Sequence, residues 1–126
     1  MNSEQFHFLL TPAGQNLLAE MAQTAITPQN HLQISTRLRQ QLDPVLAQAL
    51  VETVVLRQKA GAKFSRAQAM YFTRAALEQA SSEIVSAYRA GRFAAANLRT
   101  VVDLGCGIGG DALGLTAVSD VIGIDL

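Results

Sequence analysis

Apolar residues recur at helical spacing over residues 11–97, which predicts a helical region covering most of the chain. Within it, three dipeptides place a capping oxygen directly before a proline, which fits the first position of a helix because the N–H that it lacks has no partner there. These dipeptides are Thr11-Pro12, Thr27-Pro28 and Asp43-Pro44. They predict three helices, with apolar stripes that contain Leu17, Leu18 and Met21; Leu32, Ile34 and Leu38; and Leu46, Leu50, Val54 and Arg57.

The helical spacing fades over residues 61–73, where KFSRAQAMYFT predicts a loop or a short extended segment. It resumes over residues 75–80 and again over residues 83–96. Ser81 or Ser82 is expected to cap the last of these helices, because a serine oxygen accepts a hydrogen bond from the free N–H groups at a helix start.

At Thr100 the pattern changes to that of an α/β fold. TVVDL is a β-branched run, GCGIGG is a glycine-rich turn, DALGLTAV fits a helix, and DVIGIDL is a second apolar run. This order predicts one βαβ unit with parallel strands and a right-handed crossover. The expected fold is an α-helical domain over residues 1–97, followed over residues 98–126 by the first βαβ unit of a Rossmann-like α/β domain. Such strands need neighbouring strands and covering helices, which we expect after Leu126.

The glycine loop, GCGIGG at residues 105–110, follows a predicted strand and precedes a predicted helix, the context in which this pattern binds a nucleotide. Gly105 permits a sharp turn, Gly107 lets the backbone approach a ligand, and Gly109 or Gly110 lets the next helix pack closely. Free N–H groups at the start of that helix favour a carboxylate or a phosphate nearby. The loop is therefore the candidate ligand site.

Two ligand classes fit this loop, because Gly105, Gly107 and Gly110 also have the spacing of a dinucleotide fingerprint. Asp103 favours one class over the other, since a carboxylate beside the loop repels a pyrophosphate and attracts the ammonium group of a methionine moiety. Asp125 closes the second predicted strand, where its oxygens can accept both hydroxyls of a ribose. These residues favour S-adenosylmethionine (AdoMet), with NAD or FAD as the alternative.

The sequence VVDLGCGIGGDALGL, followed by VIGIDL, resembles the first motif and second strand of class I AdoMet-dependent methyltransferases over residues 100–126. In that family the glycine loop contacts the methionine part of AdoMet, the acid of the first strand helps to hold its amino group, and the acid ending the second strand holds the ribose. The resemblance thus implies cofactor binding by Asp103, Gly105, Cys106, Gly107, Gly109 and Asp125. Because the family grips its methyl acceptor with residues after the fourth strand, we expect this chain to be the N-terminal part of a methyltransferase, inactive alone, with its catalytic residues after Leu126.

The upstream segment KFSRAQAMYFTRAALEQASSE, residues 63–83, resembles the helical segment before the catalytic fold in a group of bacterial RNA methyltransferases, some of which carry a THUMP-like domain. It is also similar, more distantly, to the corresponding segment of cap trimethylguanosine synthases. In those enzymes the segment folds against the AdoMet pocket. The resemblance therefore implies that Phe72, Thr73, Gln79 and Ser81 line this pocket, and that RNA is the methyl acceptor.

Charge is unevenly distributed, although the chain carries ten basic and ten acidic residues and is formally neutral. All ten Lys and Arg residues lie within residues 37–99, where only four acidic residues oppose them. Arg57, Lys59, Lys63 and Arg66 form a basic cluster that is a candidate contact for RNA phosphates, with an ordinary solvated helix face as the alternative. The sequence does not predict the oligomeric state.

The remaining features indicate a soluble, globular protein. Hydrophobic residues make up 49% of the chain and charged residues 16%, which is typical of a packed core, and no apolar run is long enough to span a membrane. A lone cysteine and the lack of a secretory signal pattern predict a cytoplasmic protein. Cys106 has no nearby histidine, and His7 and His31 are at unrelated spacing, so packing is favoured over catalysis and no metal site is expected.

Two further hypotheses about function follow from the same residues. In the first, the chain is a helical interaction module whose residues 100–126 are unfolded or completed by a partner chain. Alternatively, the dinucleotide spacing of the glycines indicates an oxidoreductase that uses NAD(P) or FAD. The resemblance and the basic cluster favour RNA as the methyl acceptor, with a protein or a small molecule as the alternative.

Overall fold

The computed structural model describes residues 1–125, which are mostly helical, with a two-stranded parallel sheet near the C-terminus. None of the helices within these residues combines the length and the apolar character needed to cross a lipid bilayer. In chain order the elements are α1 (Ser3–Leu10), α2 (Pro12–Met21), α3 (His31–Arg39), α4 (Pro44–Ala60), α5 (Arg74–Gln79), α6 (Glu83–Ala95), β1 (Thr100–Leu104), α7 (Gly110–Leu115) and β2 (Asp120–Ile124).

The chain forms two compact units, Met1–Gln58 and Lys59–Leu126. This division lies near the end of α4, whereas the change of sequence pattern predicted a boundary at residues 97 and 98. The physical reason is that α6 packs against α7, so the last long helix belongs with the strands that follow it. A change from helical to strand periodicity marks a change of element type and does not by itself mark the edge of a packed unit.

Two of the three predicted helix starts in the first unit are confirmed. α2 begins at Pro12, and the hydroxyl oxygen of Thr11 accepts a hydrogen bond from the backbone N–H of Gly14 at 3.1 Å. α4 begins at Pro44, where a carboxylate oxygen of Asp43 accepts from the N–H of Val45 at 2.8 Å. Both caps satisfy an N–H group that has no partner within its own helix.

The helix predicted to start at Pro28 starts instead at His31. The side-chain oxygen of Asn30 accepts from the backbone N–H of Thr27 at 2.8 Å, and the carbonyl of Thr27 accepts from the N–H of His31 at 2.9 Å. Asparagine side chains commonly bond to nearby backbone in this way, which favours a turn over another helical residue. The turn at residues 27–30 therefore delays α3.

α1 was not predicted, although its sequence carries a start signal. The side-chain oxygen of Asn2 accepts from the N–H of Gln5 at 2.9 Å, and the side-chain oxygen of Gln5 accepts from the N–H of Asn2 at 2.6 Å. This reciprocal pair is a capping box. Asn at one position and Gln three residues later is the pattern that indicates such a helix start.

A hydrophobic core lies between the helices of the first unit. Leu38, Ala47 and Val51 are buried at its centre. The partly buried residues packed against them are Met21, Ile26, Ile34, Leu42 and Val55. The stripe predicted for α3 is thus correct for Ile34 and Leu38, but Leu32 is 75% exposed and does not belong to it.

The second unit begins with the non-helical segment that the sequence predicted. Over residues 61–73 it contains turns and one short 3-10 helix, Ala67–Ala69. Phe64 and Phe72 are buried here, with ring centroids 5.8 Å apart in a stacked arrangement. The hydroxyl oxygen of Ser82 then caps α6 by accepting a hydrogen bond from the N–H of Val85 at 3.5 Å. The sequence predicted that either Ser81 or Ser82 caps this helix.

β1 and β2 are parallel and in register, from Thr100 opposite Asp120 to Leu104 opposite Ile124. α7 connects them, so the predicted order of strand, loop, helix and parallel strand is confirmed. One face of the pair carries apolar side chains that are about half exposed or more: Val102, Leu104, Ile122 and Ile124. The strands are therefore covered by this unit on one face only.

Candidate functional site

The glycine loop crosses the edge of the sheet at which both strands end. The backbone N–H of Gly105 donates to the carbonyl of Ile124 at 2.7 Å, and that of Cys106 donates to the same carbonyl at 3.2 Å. Because parallel strands end at a common edge, this loop lies where ligands bind in open α/β sheets.

Every second residue from Gly105 to Gly109 has a left-handed backbone conformation. Gly105, Gly107 and Gly109 have φ angles of 76°, 54° and 76°. A residue with a β-carbon loses about 1–2 kcal/mol in this conformation, so the path of the loop requires glycine. A β-carbon added at Gly105 or Gly107 would meet nothing within 4 Å, which means that both residues expose bare backbone to open space.

A pocket of about 150 Å³ lies against the loop. Six of its lining residues were predicted to bind a cofactor: Gln79, Ser81, Asp103, Gly105, Cys106 and Gly107. The sequence did not predict a pocket role for the other five, which are Ala76, Ala80, Ile108, Gly110 and Asp111. The structure thus brings together residues 79–81 and residues 103–107, which the sequence indicated on separate grounds. These two segments lie more than twenty residues apart in the chain.

A hydrogen-bonded triad joins Ser81 to the start of α7, and two of its members, Ser81 and Asp111, line the pocket. The Ser81 hydroxyl donates to Asp111 Oδ2 at 3.1 Å and accepts from Arg89 Nη1 at 2.9 Å. Arg89 also forms an ion pair with Asp111. Asp111 Oδ1 is buried and accepts no hydrogen bond from the residues that the structure describes. The sequence indicated Asp111 only as a first-turn helix acid, and only the fold shows that α6 brings Arg89 to it.

Gly110 allows the two segments to approach closely. A β-carbon there would lie 3.0 Å from the carbonyl oxygen of Ser81 and 3.6 Å from the β-carbon of Ala80. The sequence predicted that a glycine at this end of the loop lets α7 pack against the sheet. In the structure Gly110 lies instead against the segment between α5 and α6.

Lys63 fixes the position of that segment. Its ammonium group donates to the carbonyls of Leu77, Glu78 and Ala80 at 2.8, 3.1 and 2.9 Å. These carbonyls lie at the C-terminal end of α5, where four carbonyl groups lack helical partners and a cation is favoured. Lys63 therefore supports the pocket wall, and its three donors are all used within the protein.

Four residues that were predicted to bind the cofactor or line its pocket do not line this pocket. Phe72 is buried and stacks on Phe64. Thr73 caps α5, with its hydroxyl oxygen accepting from the N–H of Ala76 at 3.2 Å. Gly109 is the residue that precedes α7. A carboxylate oxygen of Asp125 accepts from the backbone N–H of Gly107, so this side chain links the end of β2 to the glycine loop.

The basic cluster predicted to contact RNA is not a single exposed surface. Arg57 is 6% exposed, and Lys63 is held by the carbonyls at the end of α5. Lys59 and Arg66 are exposed. The sequence made two predictions for Arg57, a place in the apolar stripe of α4 and a place in the basic cluster. Its burial agrees with the first.

Cys106 is partly buried, and its sulfur would lie 3.0 Å from a β-carbon on Gly123, so it packs against β2. Residues 1–125 contain no group of three His, Cys, Asp or Glu side chains placed to hold a metal ion. The side chains that line the pocket offer carboxylates, a hydroxyl, an amide and a thiol, beside the exposed backbone of the loop.

Comparison with known families gives a match to the N-terminal part of the chain. Residues 2–60 match the model of a domain of unknown function, DUF8688. This match covers α1 to α4 and includes none of the residues that line the pocket. The comparisons with curated proteins and with solved structures find no match.

Proposed function

We propose that the pocket at the glycine loop binds AdoMet and that the protein is an AdoMet-dependent methyltransferase. The observation that carries this proposal is the convergence of Gln79 and Ser81 with Asp103, Gly105 and Gly107 on one pocket. Residues 63–83 and residues 100–126 each resemble part of such an enzyme. We also propose that β1, α7 and β2 are the first unit of a Rossmann-like fold.

The shape of the pocket is compatible with one end of this cofactor. The backbone at Gly105 and Gly107 is open to a ligand, since no atom lies within 4 Å of where their β-carbons would be. The pocket volume of about 150 Å³ is below the roughly 300–1,000 Å³ of sites that enclose a drug-sized ligand. We therefore assign it to the methionine moiety, with the nucleoside extending from the pocket towards the end of β2.

The charges in the wall favour an ammonium group over a pyrophosphate. Asp103 and Asp111 both line the pocket, and within residues 1–125 the ion pair formed by these two acids joins Asp111 to Arg89. Arg89 compensates the charge of Asp111, so the repulsion of NAD or FAD phosphates comes from Asp103. At the end of β2, Asp125 is the proposed acceptor for the ribose hydroxyls.

AdoMet supplies a methyl group that its sulfonium centre already activates, so the protein has mainly to hold the cofactor, orient it and exclude water. Asp103, Ser81 and the loop backbone perform the holding in this proposal. We propose RNA as the acceptor, on the resemblance of residues 63–83 and on the exposed cations Lys59 and Arg66.

The proposal is tested by calorimetric titration of the chain with S-adenosylhomocysteine, the demethylated product, and with NAD⁺. We expect saturable binding of S-adenosylhomocysteine at one site and no displacement by NAD⁺. Binding of NAD⁺ in its place would support the oxidoreductase hypothesis, and binding of neither would contradict the proposal. Transfer of labelled methyl groups to bulk RNA by the protein, as its gene encodes it, tests the acceptor.

A further inference from the structure

The hydrogen bonds of the Ser81 hydroxyl are set by two neighbours, Asp111 and Arg89, which determine where its proton points. A serine hydroxyl has one proton to donate and two lone pairs to accept with. In the structure the proton is directed to Asp111 Oδ2, and one lone pair accepts from Arg89 Nη1. The capacity that remains is a single lone pair, which is an acceptor.

Arg89 and Asp111 hold this direction because they are themselves paired. Arg89 Nη1 is bonded to both Ser81 Oγ and Asp111 Oδ2, so the three groups form a closed triangle. Reversing the serine hydroxyl would point its proton at a guanidinium group, which has no lone pair to accept it. It would also remove a donor from the Asp111 carboxylate. The other oxygen of that carboxylate, Oδ1, already accepts no hydrogen bond from the described residues.

We propose that Ser81 selects for an N–H donor on the ligand, and that the Arg89–Asp111 pair makes it selective by locking its hydroxyl as an acceptor. This inference rests on the proposed function and deepens it, because the donor is the α-ammonium group of the methionine moiety. Asp103 in the same wall is a second acceptor for this group. Because Arg89 compensates Asp111, the net negative charge of the wall comes from Asp103. This charge and the two acceptors suit a cationic group with several protons.

The inference is tested by measuring how strongly each variant distinguishes S-adenosylhomocysteine from its deaminated analogue, in which hydrogen replaces the α-ammonium group. The dissociation constant of the deaminated analogue, divided by that of S-adenosylhomocysteine, isolates the contribution of the ammonium group. We expect Ser81→Ala to reduce this ratio about ten-fold, the effect of losing one hydrogen bond to a charged group. Ser81→Thr keeps the hydroxyl and should preserve most of the ratio.

Ser82→Ala is the matched control, because Ser82 is the adjacent serine and caps α6 without lining the pocket. It should lower stability slightly and leave the ratio unchanged. Equal weakening of both ligands by Ser81→Ala would show a merely structural role and overturn the inference while leaving the proposed function intact. An unchanged ratio in Ser81→Ala would overturn it as well. Failure of the unmodified chain to bind S-adenosylhomocysteine would instead contradict the proposed function, and this inference with it.

Discussion

The backbone carbonyl carbon of Ser86 lies 2.8 Å from the position that a β-carbon on Gly114 would occupy, and the Ser86 hydroxyl lies closer still. At this crossing α6 and α7 touch backbone to backbone. The Ser86 hydroxyl donates to the carbonyl of Asp111 at 3.1 Å, which satisfies a buried polar group. The close crossing brings Arg89, three residues further along α6, to the side chain of Asp111.

Gly114→Ala should destabilise the second unit by about 1–3 kcal/mol, because the added methyl group overpacks the crossing and forces the helices apart. Urea denaturation followed by circular dichroism measures the change. Gly91→Ala is the control, since Gly91 lies on an exposed part of α6 and a β-carbon there meets nothing within 4 Å. It should stabilise the chain by about 0.5–1 kcal/mol, as glycine in a helix interior is unfavourable. Equal effects of the two substitutions would contradict the close crossing.

Much of the fold was predictable because its signals are local. The caps at Thr11, Asp43 and Ser82, and the order of strand, loop, helix and strand after Thr100, all follow from residues adjacent in sequence. The late start of α3 was not predicted, because residues 27–30 form a turn in which the Asn30 side chain bonds to the backbone N–H of Thr27. The grouping of α6 with the strands in one compact unit was not visible in the sequence, since it depends on which helix packs against α7.

The candidate site was predictable in part for the same reason. The glycine loop and Asp103 form a contiguous motif, whereas the contributions of Arg89 and Asp111 depend on contacts across 22 residues of chain. Lys63 was assigned to RNA because its charge is visible in the sequence. Its true partners are backbone carbonyls, which no sequence pattern reveals.

Lys63→Met should destabilise the second unit by about 1–3 kcal/mol, because carbonyls at the end of α5 lose a charged donor. Thermal and urea denaturation measure this loss. Lys59→Met removes the same charge from an exposed side chain and should change stability by less than about 0.5 kcal/mol. If both variants were as stable as the unmodified chain, the ammonium group would not support the pocket wall.

Gly107→Ala should lower stability by about 1–2 kcal/mol, since alanine is strained in the left-handed conformation. It should also weaken binding of S-adenosylhomocysteine, because its methyl group would stand on the open side of the loop. Gly107→Asn separates the two effects, as asparagine tolerates this conformation better than alanine does. We expect Gly107→Asn to recover part of the stability and none of the affinity in calorimetric titration. Full affinity in either variant would place the ligand elsewhere.

Asp103→Asn should weaken binding of S-adenosylhomocysteine about ten-fold or more, because it removes the charge that faces the ligand's ammonium group at nearly constant volume. The matched control is Asp120→Asn, an exposed acid at the other end of the sheet, which should leave the affinity unchanged. A loss of affinity in both variants would indicate a general effect of net charge.

The most direct measurement is a nuclear magnetic resonance titration of the isotopically labelled chain with S-adenosylhomocysteine. We expect the backbone amide signals of Ser81, Gly105, Cys106 and Gly107 to shift in a saturable way, while those of core residues such as Val51 in the first unit stay fixed. Absence of any saturable shift, or shifts confined to the first unit, would contradict a cofactor pocket at the glycine loop.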